Sequence, residues 1–329
     1  MKKQIFLLLI TGTLIAAIGI LGTSCHPGNS DNTGQKGDTL KGKITISGAF
    51  ALYPMAVRWA EEFKKIHPKV TINISAGGAG KGMADALTKM VDLGMFSKEI
   101  SPEEKAKGAW WVAVAKDAVL PTVSSSNPVL KDLKAKGMTR EEFSGVFITG
   151  KISTWGQAAK NRSLEEIQVF TRSDACGAAE MWAKYAEKGK KQEDLLGLGV
   201  NGDPGVADAV RKNPGGIGYN NLNFVFDMDT RKPYPGIEVI PIDMNRNGTI
   251  DPDENFYGTL DQVVIAIQTG KYPSPPARDL YFVSAGKPAD KNVVAFLRWI
   301  LTDGQKFVPE AGYVTLTPEK IQSGIEKLK

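Results

Sequence analysis

From Lys43 onward the chain alternates stretches of period-two apolar patterning with stretches of period-3.6 patterning. That alternation restricts it to βαβ units around a largely parallel sheet. Residues 43–47 (KITIS), 70–74 (VTINI) and 92–96 read as strands. Between them, 54–66 sets Met55, Val57, Trp59, Ala60 and Phe63 at helical spacing, with Glu61, Glu62, Lys64 and Lys65 mostly opposite. Residues 80–90 read as a second helix. A long, mostly apolar run, 110–123, contains Lys116, Asp117 and Pro121; such a run suits a strand that leaves one lobe and enters another. Helices follow near 128–136, 140–147, 178–187, 206–211 and 292–301, and strands near 167–170, 237–242 and 279–284. At 329 residues the chain suits two domains.

The start of the chain bears on compartment. Lys2 and Lys3 precede an apolar run, 5–21, broken only by Thr11, Gly12, Thr13 and Gly19, and small residues lead into Cys25. This predicts an export signal over 1–24. Cys25 resembles the acylated cysteine of bacterial lipoproteins, although Gly22 stands where those sequences usually carry Leu, and Leu21 lies one position earlier. A lipid anchor on Cys25 and a flexible tether over 25–42, rich in Gly, Asn, Asp, Ser, Thr and Lys, are the expectation. Cys176 is the only other cysteine, so an acylated Cys25 excludes an internal disulfide. The chain carries +5; without Lys2 and Lys3, 39 basic residues face 36 acidic ones. That mild surplus, with no basic run interleaved with aromatics, argues against nucleic acid.

Two turns carry the chemistry. Residues 75–82 (SAGGAGKG) join a strand to a helix. Unpaired N–H groups at a helix start favour an anion, and glycines at Gly78 and Gly80 let one approach the backbone. Ala79 lies between them and Lys81 adds a full charge. A nucleotide-binding loop needs Gly-Lys-Ser/Thr at its end, but Gly82 follows Lys81. Residues 170–178 (FTRSDACGA) repeat the strand-to-helix geometry. There Arg172 offers a forked donor pair to an oxyanion, and Asp174 orients Arg172 or accepts from a protonated ligand. Taken singly, each turn also serves as an ordinary joint with a cap and an ion pair. Together, in two α/β halves, they suit a ligand held between lobes.

At this point the sequence resembles the periplasmic phosphate-binding proteins of ABC importers, from residue 43 to about 318. The pieces that carry it run in order: ALYP at 51–54, VDLG at 91–94, FITGKISTW at 147–155, RSDACG at 172–177, NPGGIGY at 213–219, and DGQ with AGYV near the C-terminus. The resemblance implies a two-lobed type II binding-protein fold, each lobe a mostly parallel sheet flanked by helices. Lobe 1 is expected over 43–120 and 276–329, lobe 2 over 121–275. It implies a monomer that delivers its ligand to a membrane permease. The implied ligand residues are Leu52, Tyr53, Gly78, Ala79, Gly80, Lys81, Ser97, Arg172, Asp174, Ala175, Cys176, Gly177 and Ala178. Several depart from the family: Leu52 stands for a Thr, Ser97 for an Asp, and Cys176 and Ala178 for a Ser and a Thr. Phosphate is the implied ligand, with sulfate or another tetrahedral oxyanion left open.

Residues 243–254 (DMNRNGTIDPDE) match a twelve-residue calcium loop. Oxygen side chains fall at Asp243, Asn245, Asn247, Asp251 and Glu254, Thr249 supplies a carbonyl, and Gly248 permits the sharp turn. A structural calcium is expected; the competing reading is an acidic turn without metal. Two rival functions share the fold: a phosphate-ester hydrolase, for which Cys176 and Asp174 are the only candidates and a partner base is lacking, and a ligand-free sensor or scaffold.

Overall fold

The structure is a computed structural model that describes residues 40–329. The expected export signal, Cys25 and most of the expected tether lie outside the described residues. Nine strands occur in it: β1 (Gly42–Gly48), β2 (Val70–Ala76), β3 (Leu93–Phe96), β4 (Ala109–Ser124), β5 (Gln168–Arg172), β6 (Leu198–Val200), β7 (Gly216–Asn221), β8 (Ile237–Val239) and β9 (Ala277–Ala285). Their spatial order is β2-β1-β3-β9-β4-β7-β5-β6, with β8 on β4.

Pairing is parallel within each half. β1 pairs with β2 and β3, and β5 pairs with β6 and β7. The expectation of a largely parallel sheet fails in the middle. There β9 lies antiparallel to β3 and β4, and β4 antiparallel to β7 and β8. The chain leaves the first half on β4 and comes back on β9, so these two strands must run in opposite senses. Apolar runs do not encode direction, which is why the patterning could not show it.

Two cores flank this crossing. One gathers Ile44, Trp59, Phe63, Phe96, Phe282, Phe296 and their neighbours. The other gathers Phe143, Phe147, Trp182, Tyr219 and the apolar residues of the Leu260–Gln268 helix. β4 serves both, giving Val112, Val114 and Ala115 to the first and Ala118–Leu120 and Val123 to the second. Large aromatics set the helices on the sheet. Trp59 buries the Tyr53–Ile66 helix and donates Nε1–H to the Gly304 carbonyl at 2.8 Å. Trp182 stacks on Tyr219 and meets Phe143 and Phe147 edge-on. Some elements are shorter than their patterning predicts. The second helix stops at Leu87, just before Lys89 turns to φ +59°, and β8 ends at Val239.

The crossing strands bury one ion pair. Asp117 on β4 lies in register with Arg278 on β9, and Arg278 Nη1 stands 3.4 Å from Asp117 Oδ2. No well-formed hydrogen bond reaches either carboxylate oxygen; the Ala118 and Leu222 backbone N–H groups help only weakly. Burial pushes the Asp117 carboxyl up to about 6, with Arg278 pulling the other way. A raised native pKa means that the folded state holds the proton more tightly than the unfolded chain does. Stability from this group therefore falls as pH rises from about 4 through 6, by roughly 2–3 kcal/mol. Asp117→Asn removes that dependence. Urea unfolding at pH 4 and pH 7 is expected to show the variant gaining about that much on the native protein across the interval; parallel pH profiles would contradict the assignment.

Candidate functional site

The parallel strands β1, β3, β5 and β7 all end at one place, the seam where the two halves meet. This is the position at which open α/β sheets expose helix starts and loops to a ligand. A small crevice lies there, closed so tightly that it leaves no room for a water molecule. Ala49, Phe50, Ala51, Ala79 and Ser97 line it from the first half, and Arg172, Cys176, Ala178, Asp203 and Asn221 from the second.

Arg172 dominates the crevice. It closes β5, and its side chain is 1% exposed. Asp174 accepts from it in a fork, Nε to Oδ1 at 2.7 Å and Nη2 to Oδ2 at 2.6 Å. Its remaining terminal nitrogen, Nη1, donates to Asp203. The ring of Phe50 covers the guanidinium, 5.3 Å from Cζ to centroid. Burial opposes the charge, but Asp203 above all, with Asp174, raises the Arg172 pKa and keeps it protonated. Burial likewise works to raise the Asp174 carboxyl, and the Arg172 hydrogen bonds and charge outweigh it and hold Asp174 below its usual range.

The network continues towards the crossing strands. Asp203 Oδ1 accepts from Asn221 N and Nδ2 at 3.2 and 2.8 Å. Asn221 Oδ1 accepts from Arg278, which faces Asp117. Arg278 Nε also donates to the Ser97 carbonyl at 3.4 Å. A continuous buried polar chain thus links Asp174, Arg172, Asp203, Asn221, Arg278 and Asp117.

Of the residues expected from sequence, Ala79, Ser97, Arg172, Cys176 and Ala178 line the crevice, and Asp174 backs Arg172. Gly80 N donates to the Ala175 carbonyl at 3.0 Å, from one lobe to the other. Leu52 and Tyr53 are displaced. After β1 the chain folds so that Leu52 N and Tyr53 N donate to Ala49 O and Phe50 O. That tight turn sends Leu52 into the core and presents Phe50 and Ala51 instead. Lys81 also leaves the crevice: it pairs with Asp85 one turn along its own helix and is half exposed. Phe50, Asp203 and Asn221 escaped the sequence reading. Asp203 sits in the first turn of the Gly202–Lys212 helix, 1% exposed; the Gly-Asp-Pro-Gly run that opens this helix was the available signal.

Cys176 caps the Gly177–Ala186 helix, its Sγ accepting from Ala179 N at 3.3 Å. Burial pushes its thiol up to about 12, against the pull of Arg172. Burial thus favours the thiol over the nucleophilic thiolate.

In the 243–254 loop, Asp243 accepts from Arg246 N and Gly248 N at 2.7 and 2.9 Å. Glu254 Oε1 accepts from Met244 N and Asn245 N, and Asp251 Oδ2 from the Asn245 and Asn247 amides. Among the described residues, no three His, Cys, Asp or Glu side chains converge as a metal cluster.

The lobes touch through glycine. A Cβ on Gly177 would stand 2.2 Å from the Ser97 carbonyl and 2.3 Å from its hydroxyl. Alanine suits a helix start, so Gly177→Ala should leave each core intact and fail only at the seam. Small-angle scattering is expected to show a larger radius of gyration with an unchanged melting temperature. An unaltered radius would refute the closed contact.

A family model described as a PBP superfamily domain matches residues 33–304. The phosphate-binding protein PstS of Bacillus subtilis is 26% identical over 227 residues, 69% of this chain and 73% of the relative. That of Staphylococcus saprophyticus is 26% identical over 318 residues, 94% of this chain and 89% of the relative. Among solved structures, a substrate-binding protein from Clostridium perfringens with bound phosphate superimposes with a TM-score of 0.68 at 22% identity, covering 84% of this chain and all of that one. An ABC-type phosphate transport receptor from Vibrio cholerae gives 0.59 at 20%, covering 83% and 100%.

Proposed function

We propose that this chain, which belongs to the PBP superfamily, captures phosphate between its lobes as the solute-binding component of an ABC importer. The observation that carries this reading is Arg172, a buried forked cation at the seam where helix starts from both lobes converge. Relatives that match most of the chain are named phosphate-binding proteins. The carboxylates bear on which anion is held. One arginine among two aspartates suits an oxyanion that still has a proton to give, because Asp174 or Asp203 accepts from it. Phosphate near neutral pH has such a proton; sulfate has none. This supplies the carboxylate chemistry that Ser97 lacks relative to the family. Binding rather than catalysis fits a Cys176 thiol that burial holds protonated. On the same reading the chain works outside the cytoplasm, held to the membrane through Cys25, and docks on a membrane permease as a monomer.

Arg172→Ala would strand two buried carboxylates at a cost of about 3–5 kcal/mol, so loss of binding there would be ambiguous. Arg172→Lys keeps the charge and loses the fork. Calorimetric titration of the native protein is expected to show heat with phosphate and little with sulfate. Arg172→Lys should weaken phosphate at least tenfold. Silence with every oxyanion would favour the ligand-free scaffold, and turnover of a chromogenic phosphate ester would favour the hydrolase.

The 243–254 loop supports a second reading, a structural calcium. Asp243 and Glu254 are 1% and 2% exposed. Both accept only from neutral backbone N–H groups, and neither has an ion-pair partner among the described residues. Buried carboxylates are ordinarily paired or bound to metal. Calcium would draw on Asp243, Asn245, Asn247, the Thr249 carbonyl, Asp251 and Glu254, replacing the amide contacts to Asp251. Millimolar calcium is expected to raise the melting temperature by several degrees, and Glu254→Gln to abolish that rise. Equal melting in calcium and in chelator would exclude the site.

A further inference from the structure

The second half carries another concave surface, and the crevice does not use it. The Gly177–Ala186 helix begins at the crevice and leads away from it. Along its far end a groove of about 790 Å³ opens between that helix, residues 188–191, Arg140, residues 242–246 and Pro273–Pro275. Six cations line it: Arg140, Lys184, Lys188, Lys190, Lys191 and Arg246. Among the lining residues only Glu180 and Asp243 oppose them. Lys184, Lys190 and Arg246 are engaged with Glu180, Asp194 and Glu141. Arg140, Lys188 and Lys191 have no carboxylate within ion-pair distance among the described residues.

The basic track goes on from there. Lys184, Ser274 and Pro275 also line a smaller cavity of about 240 Å³ that reaches Lys98, Lys116 and Arg278 between the lobes. Concentrated like charge repels itself and raises the local concentration of anions. A single tetrahedral ion reaches two or three donors; it does not satisfy cations brought in by separate walls. The occupant must therefore carry several charges along its length.

We propose that this groove binds a linear polyanion of the condensed-phosphate class. Its lining speaks against the two macromolecular alternatives. Single-stranded nucleic acid stacks its bases on exposed aromatic rings, and the one aromatic here, Tyr185, is 6% exposed. A bilayer requires an apolar face that enters the headgroups, and Met244 is the only large exposed apolar side chain on the lining. The proposal stands whether or not the crevice takes orthophosphate.

The test is calorimetric titration of the full chain with tripolyphosphate at low and moderate salt. The variants are Lys188→Glu/Lys191→Glu, both at exposed positions, and Arg172→Lys in the crevice. Binding by the native protein, weakened tenfold or more in the double variant and unchanged in Arg172→Lys, is the expected result. Three results would overturn the proposal: no binding by the native protein, equal binding by the double variant, or loss of binding in Arg172→Lys alone, which would place the polyanion in the crevice. Retention on phosphatidylglycerol vesicles or heparin that tripolyphosphate does not compete away would likewise replace the small polyanion with a macromolecular partner.

Discussion

Everything at the seam turns on one buried guanidinium between two carboxylates. Arg172 is out of water, so its charge is tolerable only because Asp174 and Asp203 meet it with directed hydrogen bonds. These partners come from different elements, and satisfying Arg172 therefore fixes the end of β5, the turn beyond it and the start of the Gly202–Lys212 helix at once. The same arrangement makes the site responsive. Asp174 and Asp203 take three of its five N–H groups, so a ligand oxygen either uses the other two or displaces a carboxylate, and Asp203 is tied through Asn221 to Arg278.

Arg278 stands on β9 opposite Asp117 of β4, and these two strands are what joins the lobes. On the proposed function, the ligand site and the crossing between the lobes share one polar chain instead of two separate devices. The members are contiguous: all but the partly exposed Asp174 are buried and each meets the next, so a changed partner at Arg172 changes the demand on Asn221 and then on Arg278. The incomplete satisfaction of Asp117 would suit a hinge there if the proposed capture involves closure. A pair locked by every available hydrogen bond would resist the rearrangement that opening requires.

Much of this was legible in the residues. The strand–helix alternation placed most elements, because each buries one face and shows its period. The run at 110–123 betrayed the crossing strand by its length. The glycine turn and the Arg172–Asp174 turn were visible because helix starts have recognisable chemistry. What stayed hidden depends on distance along the chain. Asp203 and Asn221 reach Arg172 only after β6 and β7 are laid beside β5, and no local pattern records that. Phe50 for Leu52 and Tyr53 is a matter of turn phase, which a shift of two residues reverses. Lys81 misled because a lysine beside glycines reads as a ligand donor, whereas Asp85 at i+4 offers a nearer partner. The 243–254 spacing was plain, but spacing alone does not orient carboxylates.

The distribution of charge shows how such a site must discriminate. With one cation and two anions, the Arg172 cluster is net negative, so it does not draw an oxyanion by long-range attraction. Selection there has to be short-range: backbone N–H groups at helix starts, the guanidinium fork, and a carboxylate that rewards a proton on the ligand. Long-range attraction belongs to the basic groove along the far end of the Gly177–Ala186 helix, where cations outnumber carboxylates three to one. Separating the two tasks has a physical advantage. A strongly positive crevice would bind any anion of the right size, and its lobes would repel one another when empty. A crevice that holds its own carboxylates has no such positive surplus and, on the proposed function, admits only a guest whose hydrogen bonds improve on theirs.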